Sequence, residues 1–224
     1  MKLITTLFIL FITTSHQVKA QNNIDSLSIY LQSKIDSFPN NTYISIALIK
    51  QDSVHYIGIS KTNDSTITLS LEDSLFEIGS VTKVFTATLL AKQLHEGNIK
   101  NKAIVNTNFD YKFHNKIQLN YISLANHTSG LTRLPSNILP IIYKNPNNPY
   151  QDYTYELLDE YLENDLQLEQ NNQPTYAYSN LGAGLLAYSL SKKENITFEE
   201  LLERDIFNKF KMNATSYQLK PSFN

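Results

Sequence analysis

Phe76-Glu77-Ile78-Gly79-Ser80-Val81-Thr82-Lys83 marks the point where the chain turns from extended to helical patterning. From Ser80 onward, Val81, Val84, Phe85, Leu89, Leu90 and Leu94 cover much of a helix circumference, which predicts a buried helix. Gly97 stands where a left-handed C-cap would end it. Gly79 allows a sharp turn into the helix and puts Ser80 in its first turn, with Lys83 one turn along on the same face. A helix N-terminus stabilises developing negative charge, so the Ser80 N–H can serve as half of an oxyanion hole. The same positive end, together with desolvation, disfavours Lys83 as a cation, and a lysine tuned in that way can help take a serine's proton. The plainer alternative is an N-cap serine followed by a surface lysine. Ser189 and Lys192 repeat the spacing at the C-terminal end of a predicted helix, where the dipole has the wrong sign, and read as a solvated helix end.

Upstream, Tyr43 to Lys50 and Val54 to Ser60 are β-branched and aromatic runs around Gln51-Asp52-Ser53, the pattern of an antiparallel hairpin. Before them, Ile24 to Phe38 carries Leu27, Leu31 and Ile35 at helical spacing, and Pro39 stops it. After them come a polar loop and a short extended lead-in at Leu75 to Ile78. Downstream, Asn137 to Asp152, with Pro140, Pro146 and Pro149, reads as a surface excursion. Tyr155 to Leu162 and Leu181 to Leu190 follow as helices, and Thr197 with Glu200 forms a capping-box pattern before another. Strands first and helices afterwards predict an α+β fold in which a helical region packs on an antiparallel sheet.

The chain has 224 residues, 42% hydrophobic and 18% charged, enough for one domain with a sizeable core. Nineteen Lys and Arg against 21 Asp and Glu leave a net charge of −2, too weak a field to recommend nucleic acid or an anionic membrane as a partner. With no cysteine there is no disulfide scaffold, thiolate nucleophile or Cys-ligated zinc. Five scattered histidines without a His-Glu-x-x-His motif give no zinc spacing, and no Gly-rich phosphate loop is present, so no metal or organic cofactor is implied. Lys2, the apolar run Leu3 to Ile12 and Val18-Lys19-Ala20 have the form of a signal peptide over residues 1–20, cleaved after Ala20. That predicts an exported, periplasmic or secreted protein without stable membrane insertion. No pattern specifies an oligomeric state.

A second polar cluster, Tyr176-Ala177-Tyr178-Ser179-Asn180-Leu181-Gly182, puts Tyr178 and Asn180 two apart, so an extended turn can face both into one cleft. A phenol held near an ammonium has a lowered pKa and can act as a general base, and an amide beside it can hold a substrate carbonyl. A lone Tyr-x-Asn is otherwise an ordinary hydrogen-bonding loop. The spacing recurs at Tyr143-Lys144-Asn145, inside the Pro-rich excursion with nothing to rigidify it.

Together, Phe76 to Lys83, Leu124-Ala125-Asn126-His127-Thr128-Ser129-Gly130-Leu131 and Tyr178-Ser179-Asn180 resemble the serine β-lactamase and penicillin-binding-protein superfamily, in particular class C β-lactamases and their D,D-peptidase and esterase relatives. The similarity runs from about Tyr43 to Tyr217, where Met212 to Thr215 resembles a further family segment. The resemblance implies a β-lactamase/transpeptidase-like fold, Ser80 as acylated nucleophile, Lys83 as its activating partner, Tyr178 as proton shuttle and Asn180 as substrate-amide holder. It implies a small-molecule or peptidoglycan-type peptide substrate: a β-lactam, a D-Ala-D-Ala peptide or a small ester. His127 falls in a segment that is a structural turn in the family, so a packed histidine is expected there. Two departures stand out. Pro174 is followed by Thr175 where the family has Pro-Gly. The third family motif, Lys or His, then a small residue, then Gly on a late strand, has no match because no glycine follows Gly184. The expectation is therefore that residues 21–224 are the N-terminal two-thirds of such a domain, lacking its C-terminal strands. They form either an active hydrolase or a non-catalytic, envelope-binding relative or product of an interrupted reading frame.

Overall fold

The computed structural model describes residues 26–51, 53–169 and 175–218. The predicted signal peptide, Ile24 at the start of the predicted opening helix, Asp52 in the hairpin turn and Pro174 lie outside them. The chain divides into two compact units, one up to Phe76 and one from Glu77.

The first unit holds helix α1 (residues 26–35) and an antiparallel sheet of order β1-β2-β3. The predicted hairpin is β1 (Thr42–Lys50) and β2 (Ser53–Thr62), in register from Thr42↔Lys61 to Lys50↔Ser53. In this register Ile44 meets Ile59 and Ile46 meets Ile57, so one face is an isoleucine ladder. The α1 stripe Leu27, Leu31 and Ile35 covers that ladder, and Ile35 and Ile59 are fully buried. The polar loop expected after the hairpin contains a third strand, β3 (Ser65–Leu69), paired from Thr62↔Ser65 to Gly58↔Leu69. Asn63 and Asp64 both have positive φ, 51° and 57°, the backbone of a two-residue hairpin turn matched to strand twist.

The second unit is helical among its described residues. It comprises α2 (Thr82–His95), α3 (Tyr121–Ala125), α4 (Leu139–Lys144), α5 (Tyr155–Asn164), α6 (Asn180–Glu194), α7 (Phe198–Leu202) and α8 (Asn208–Phe210). A π-helical turn at Glu203–Phe207 joins the last two. The central element is α6, buried at Leu181, Gly182, Leu185, Leu186, Tyr188, Ser189 and Leu190, positions that surround its axis. It packs against α2, α3 and α7. The predicted capping box is present: Glu200 N–H donates to Thr197 Oγ1 at 3.2 Å and Thr197 N–H to Glu200 Oε2 at 2.7 Å.

Three expectations for this unit change. Helix α2 buries one face, Thr86, Leu89, Leu90 and Gln93, at the i, i+3, i+4, i+7 spacing of a single stripe, while Val81 and Val84 stay exposed. Ser189 is fully buried in the core, so the Ser189/Lys192 pair is not a solvated helix end. Its lysine ammonium lies over the Phe109 and Tyr188 rings, 5.3 and 5.1 Å from their centroids. The Pro-rich excursion is partly helical, with Pro140 in the first turn of α4 and Ile138 buried. Asn137 Nδ2 ties it to α5 by donating to the Leu157 carbonyl at 2.8 Å.

Gly58 sits in the central strand between Ser45 and Leu69, and a Cβ there would lie 2.2 Å from the Leu69 carbonyl oxygen. Gly58→Ala is therefore expected to lower the stability of the sheet unit by about 1–3 kcal/mol, the usual cost of overpacking. Urea unfolding followed by circular dichroism checks this, and an unchanged midpoint would contradict it.

Candidate active site

Ser80 lies one turn ahead of where the sequence places it. It occupies a 3₁₀ turn, Gly79–Val81, that feeds α2. Gly79 has φ of +50°, and a Cβ there would meet no atom within 4 Å, so backbone conformation rather than space calls for glycine. The turn closes with Val81 N–H on the Ile78 carbonyl at 3.0 Å. It leaves the Ser80 side chain exposed, with Lys83 one turn on, and Lys83 Nζ donates to Ser80 Oγ at 3.1 Å.

The partner segment is held from the other side of the unit. Residues 175–179 carry no regular secondary structure and end at Ser179, the extended N-cap of α6. Ser179 is fully buried; its Oγ accepts from Gly182 N–H at 2.8 Å and donates to the Thr132 carbonyl at 2.7 Å. Asn180 and Leu181 N–H both reach the Arg133 carbonyl, at 3.0 and 3.1 Å, and Ala183 N–H reaches the Ser179 carbonyl at 3.3 Å. All four leading N–H groups of α6 are thus satisfied within the protein. Thr132 and Arg133 directly follow the Leu124–Leu131 motif, so these hydrogen bonds tie the stretch after that motif to the start of α6.

This lacing delivers Tyr178 to Ser80. Tyr178 OH donates to Ser80 Oγ at 2.8 Å. Lys83 Nζ stands 4.9 Å and Arg133 Cζ 5.3 Å from the Tyr178 ring centroid. The phenol pKa is lowered from its ordinary value. Hydrogen bonding to Lys83 is the main cause, followed by the Ser80 hydroxyl and the charges of Lys83 and Arg133, with desolvation opposing. Of the four residues singled out from sequence, Ser80, Lys83 and Tyr178 meet at one point. Asn180 starts α6 two residues on, and its Nδ2 donates to Tyr150 OH at 3.2 Å while its buried Oδ1 has no protein partner.

His127 stands in the structural turn expected for its segment, with φ of 60°. Its imidazole packs on the Tyr178 ring at 4.6 Å, and its Nδ1 accepts from Ser179 N–H at 3.2 Å. Burial first, and the Lys83 charge second, lower its pKa. Arg133 and Tyr150 were not singled out from sequence. Arg133 carries no motif of its own, and Tyr150 sits in the Pro-rich stretch whose anchoring to α5 is a tertiary fact. Among the described residues no three His, Asp or Glu side chains gather where they could hold a metal ion, and no helix is long and apolar enough to cross a membrane.

A model of the beta-lactamase family matches residues 44–223. The chain belongs to the beta-lactamase family. It is 25% identical over 186 residues to a beta-lactamase of Pseudomonas fluorescens, an alignment covering 77% of this chain and 45% of that protein. Two solved structures share the fold of the family. A beta-lactamase/D-alanine carboxypeptidase from Yersinia pestis, complexed with citrate, matches with a TM-score of 0.62 and 20% identity over 88% of this chain and 57% of its own. A class C beta-lactamase in complex with cefoxitin matches with a TM-score of 0.67 and 19% identity over 92% of this chain and 53% of its own. The fold is accordingly the α+β β-lactamase/transpeptidase type anticipated from the three motifs. The chain spans less than half the length of the curated relatives it matches.

Ser179→Ala removes the α6 cap and the donor to the Thr132 carbonyl together. A stability loss of about 1–2 kcal/mol is expected in urea, since a cap alone contributes about 1 kcal/mol and a partly buried acceptor left unpaired adds to it. A loss below about 0.5 kcal/mol would mean the lacing does not depend on this hydroxyl.

Proposed function

We propose that this protein is an exported serine hydrolase that opens an amide or ester through an acyl-enzyme on Ser80. The observation that carries the reading is the convergence of Lys83 Nζ and Tyr178 OH on Ser80 Oγ, at 3.1 and 2.8 Å. A serine hydroxyl is a weak nucleophile until a neighbouring base takes its proton, and a phenol with a lowered pKa beside an ammonium is suited to do so. In this reading Ser80 Oγ adds to the substrate carbonyl as its proton passes to the Tyr178 phenolate oxygen. Collapse of the tetrahedral intermediate expels the amine or alcohol, which takes the proton back from Tyr178. Water then attacks the ester on Ser80 with the phenolate again as base, restoring the hydroxyl. Lys83 keeps the phenolate charge stabilised throughout, and the Ser80 N–H at the mouth of α2 stabilises the oxyanion. Asn180 is suited to hold the substrate amide, because it starts α6 two residues beyond Tyr178.

The substrate class this reading names is a β-lactam, a D-Ala-D-Ala peptide or a small ester. Two of its supports are family membership and the names of the fold's neighbours, a D-alanine carboxypeptidase among them. Export rests on the residues of the 1–20 segment. A second reading is a relative that binds but does not turn over, and covalent labelling separates the two.

The test is the intact mass of folded protein after exposure to a fluorophosphonate and, separately, to a penicillin. The hydrolase reading expects a single adduct that disappears in Ser80→Ala and forms about 10² to 10⁴ times more slowly in Tyr178→Phe, the usual range for a lost general base. A folded chain that takes no label from either reagent would support the non-catalytic relative, and label persisting in Ser80→Ala would place the nucleophile elsewhere.

A further inference from the structure

We propose that His127 is the positioning residue for Tyr178, its carbonyl and its imidazole Nδ1 gripping the peptide units on either side of that tyrosine, so that the phenol keeps its place on Ser80 only while Nδ1 is unprotonated. The inference deepens the hydrolase reading and rests on it for its rate consequences.

Four observations converge. The Ala177 N–H donates to the His127 carbonyl at 2.8 Å and the Ser179 N–H donates to His127 Nδ1 at 3.2 Å, so one residue holds the chain immediately before and immediately after Tyr178. The imidazole also lies against the Tyr178 ring, with centroids 4.6 Å apart, and the Tyr176 ring meets it edge-on at 5.9 Å. Finally, His127 is in the left-handed region, φ 60°, directly after α3, where Thr128 N–H closes the turn on the Ser123 carbonyl at 2.9 Å. Glycine adopts that backbone without strain, so replacing the histidine by glycine removes the imidazole at no backbone cost.

An Nδ1 that accepts a main-chain N–H is unprotonated, so the neutral ring carries its proton on Nε2. This role also excludes Nδ1 as the base for Ser80. Lys83 from α2 is the charged group that acts on the ring, and the titratable side chains packed against it are the phenols of Tyr176 and Tyr178. Partial burial first, and the Lys83 charge second, keep the imidazole neutral, and so keep the grip closed, to a pH below the ordinary histidine value. When the ring does protonate, Nδ1 becomes a donor facing a donor, and the grip opens. A displacement of the phenol by about 1 Å is enough to cost about 10²-fold in rate.

His127→Gly and His127→Asn separate this role from a merely structural one. Glycine relieves the φ and keeps the carbonyl, removing only the imidazole, whereas the asparagine Oδ1 takes the place of Nδ1 as an acceptor that does not titrate, on a residue that tolerates the left-handed region. The expected result is that His127→Gly folds at least as stably as wild type but labels with fluorophosphonate at least about 10-fold more slowly, and that His127→Asn recovers most of that loss. In the wild type, the slope of log labelling rate against pH steepens from one toward two below the lowered His127 value, while the Asn variant keeps a slope of one. A Gly variant as fast as wild type, or a shared pH profile for wild type and Asn variant, would overturn the proposal. Absence of wild-type labelling would defeat the hydrolase reading instead, and nitrogen NMR of the full chain then decides this one. His127, identified by the signal lost in His127→Asn, is expected as the Nε2–H tautomer, with Tyr178 ring resonances displaced in His127→Gly. An Nδ1–H tautomer, or Tyr178 resonances unmoved, would overturn it.

Discussion

The fully buried Ser179 hydroxyl holds the candidate site together. It sits between the start of α6 and the Thr132 carbonyl, satisfying a helix N–H with its lone pair and a loop carbonyl with its proton. The Gly182 N–H is buried and the Thr132 carbonyl partly so, so losing the hydroxyl leaves both short of a partner. Around it, the Arg133 carbonyl takes two further N–H groups of α6, and the His127 carbonyl takes that of Ala177. The result is a short strip of chain, 177–181, whose main chain is fixed at nearly every peptide unit to residues 127–133. Side chains on that strip inherit its rigidity, Tyr178 among them.

Electrostatics follows from this placement. Tyr178 has Lys83 and Arg133 as its charged neighbours, and both favour the phenolate. The same Lys83 charge disfavours the imidazolium of His127. One cation thus pushes two groups toward the states that a base and a hydrogen-bond acceptor require. The linkage has a definite sign. Each of these groups binds fewer protons folded than unfolded within its shifted window, so each contributes stability that is fully present above its unfolded value and is lost as pH falls through the folded one. For His127 that window lies below about 6.5, and for Tyr178 below about 10.

The parts that sequence made legible are those set by local chemistry. The β1–β2 hairpin, the α1 stripe, the Thr197–Glu200 capping box and the Gly97 end of α2 depend on residues within a turn or two of each other, and all four are present. Strand β3 was legible too, in Asn63-Asp64 followed by Thr66-Ile67-Thr68-Leu69, but its polar and small residues read as loop when taken without the turn. The exposed side of α2 and the burial of Ser189 could not be read, because both depend on which faces find partners. Ser80, Lys83 and Tyr178 could be named from motif spacing. The presence of Arg133 beside the phenol and of Tyr150 at the Asn180 amide came only from tertiary placement, as did the grip of His127, whose own segment reads as a plain turn.

The Tyr178 phenol stands between the positive charges of Lys83 and Arg133 and is poised to ionise early. The most direct measurement is its own titration, taken as the difference in phenolate absorbance between wild type and Tyr178→Phe across alkaline pH. One phenol is expected to titrate below the ordinary value of about 10, with a shift that shrinks when Lys83 is replaced by Met. A midpoint at or above that value, or one indifferent to Lys83, would contradict it.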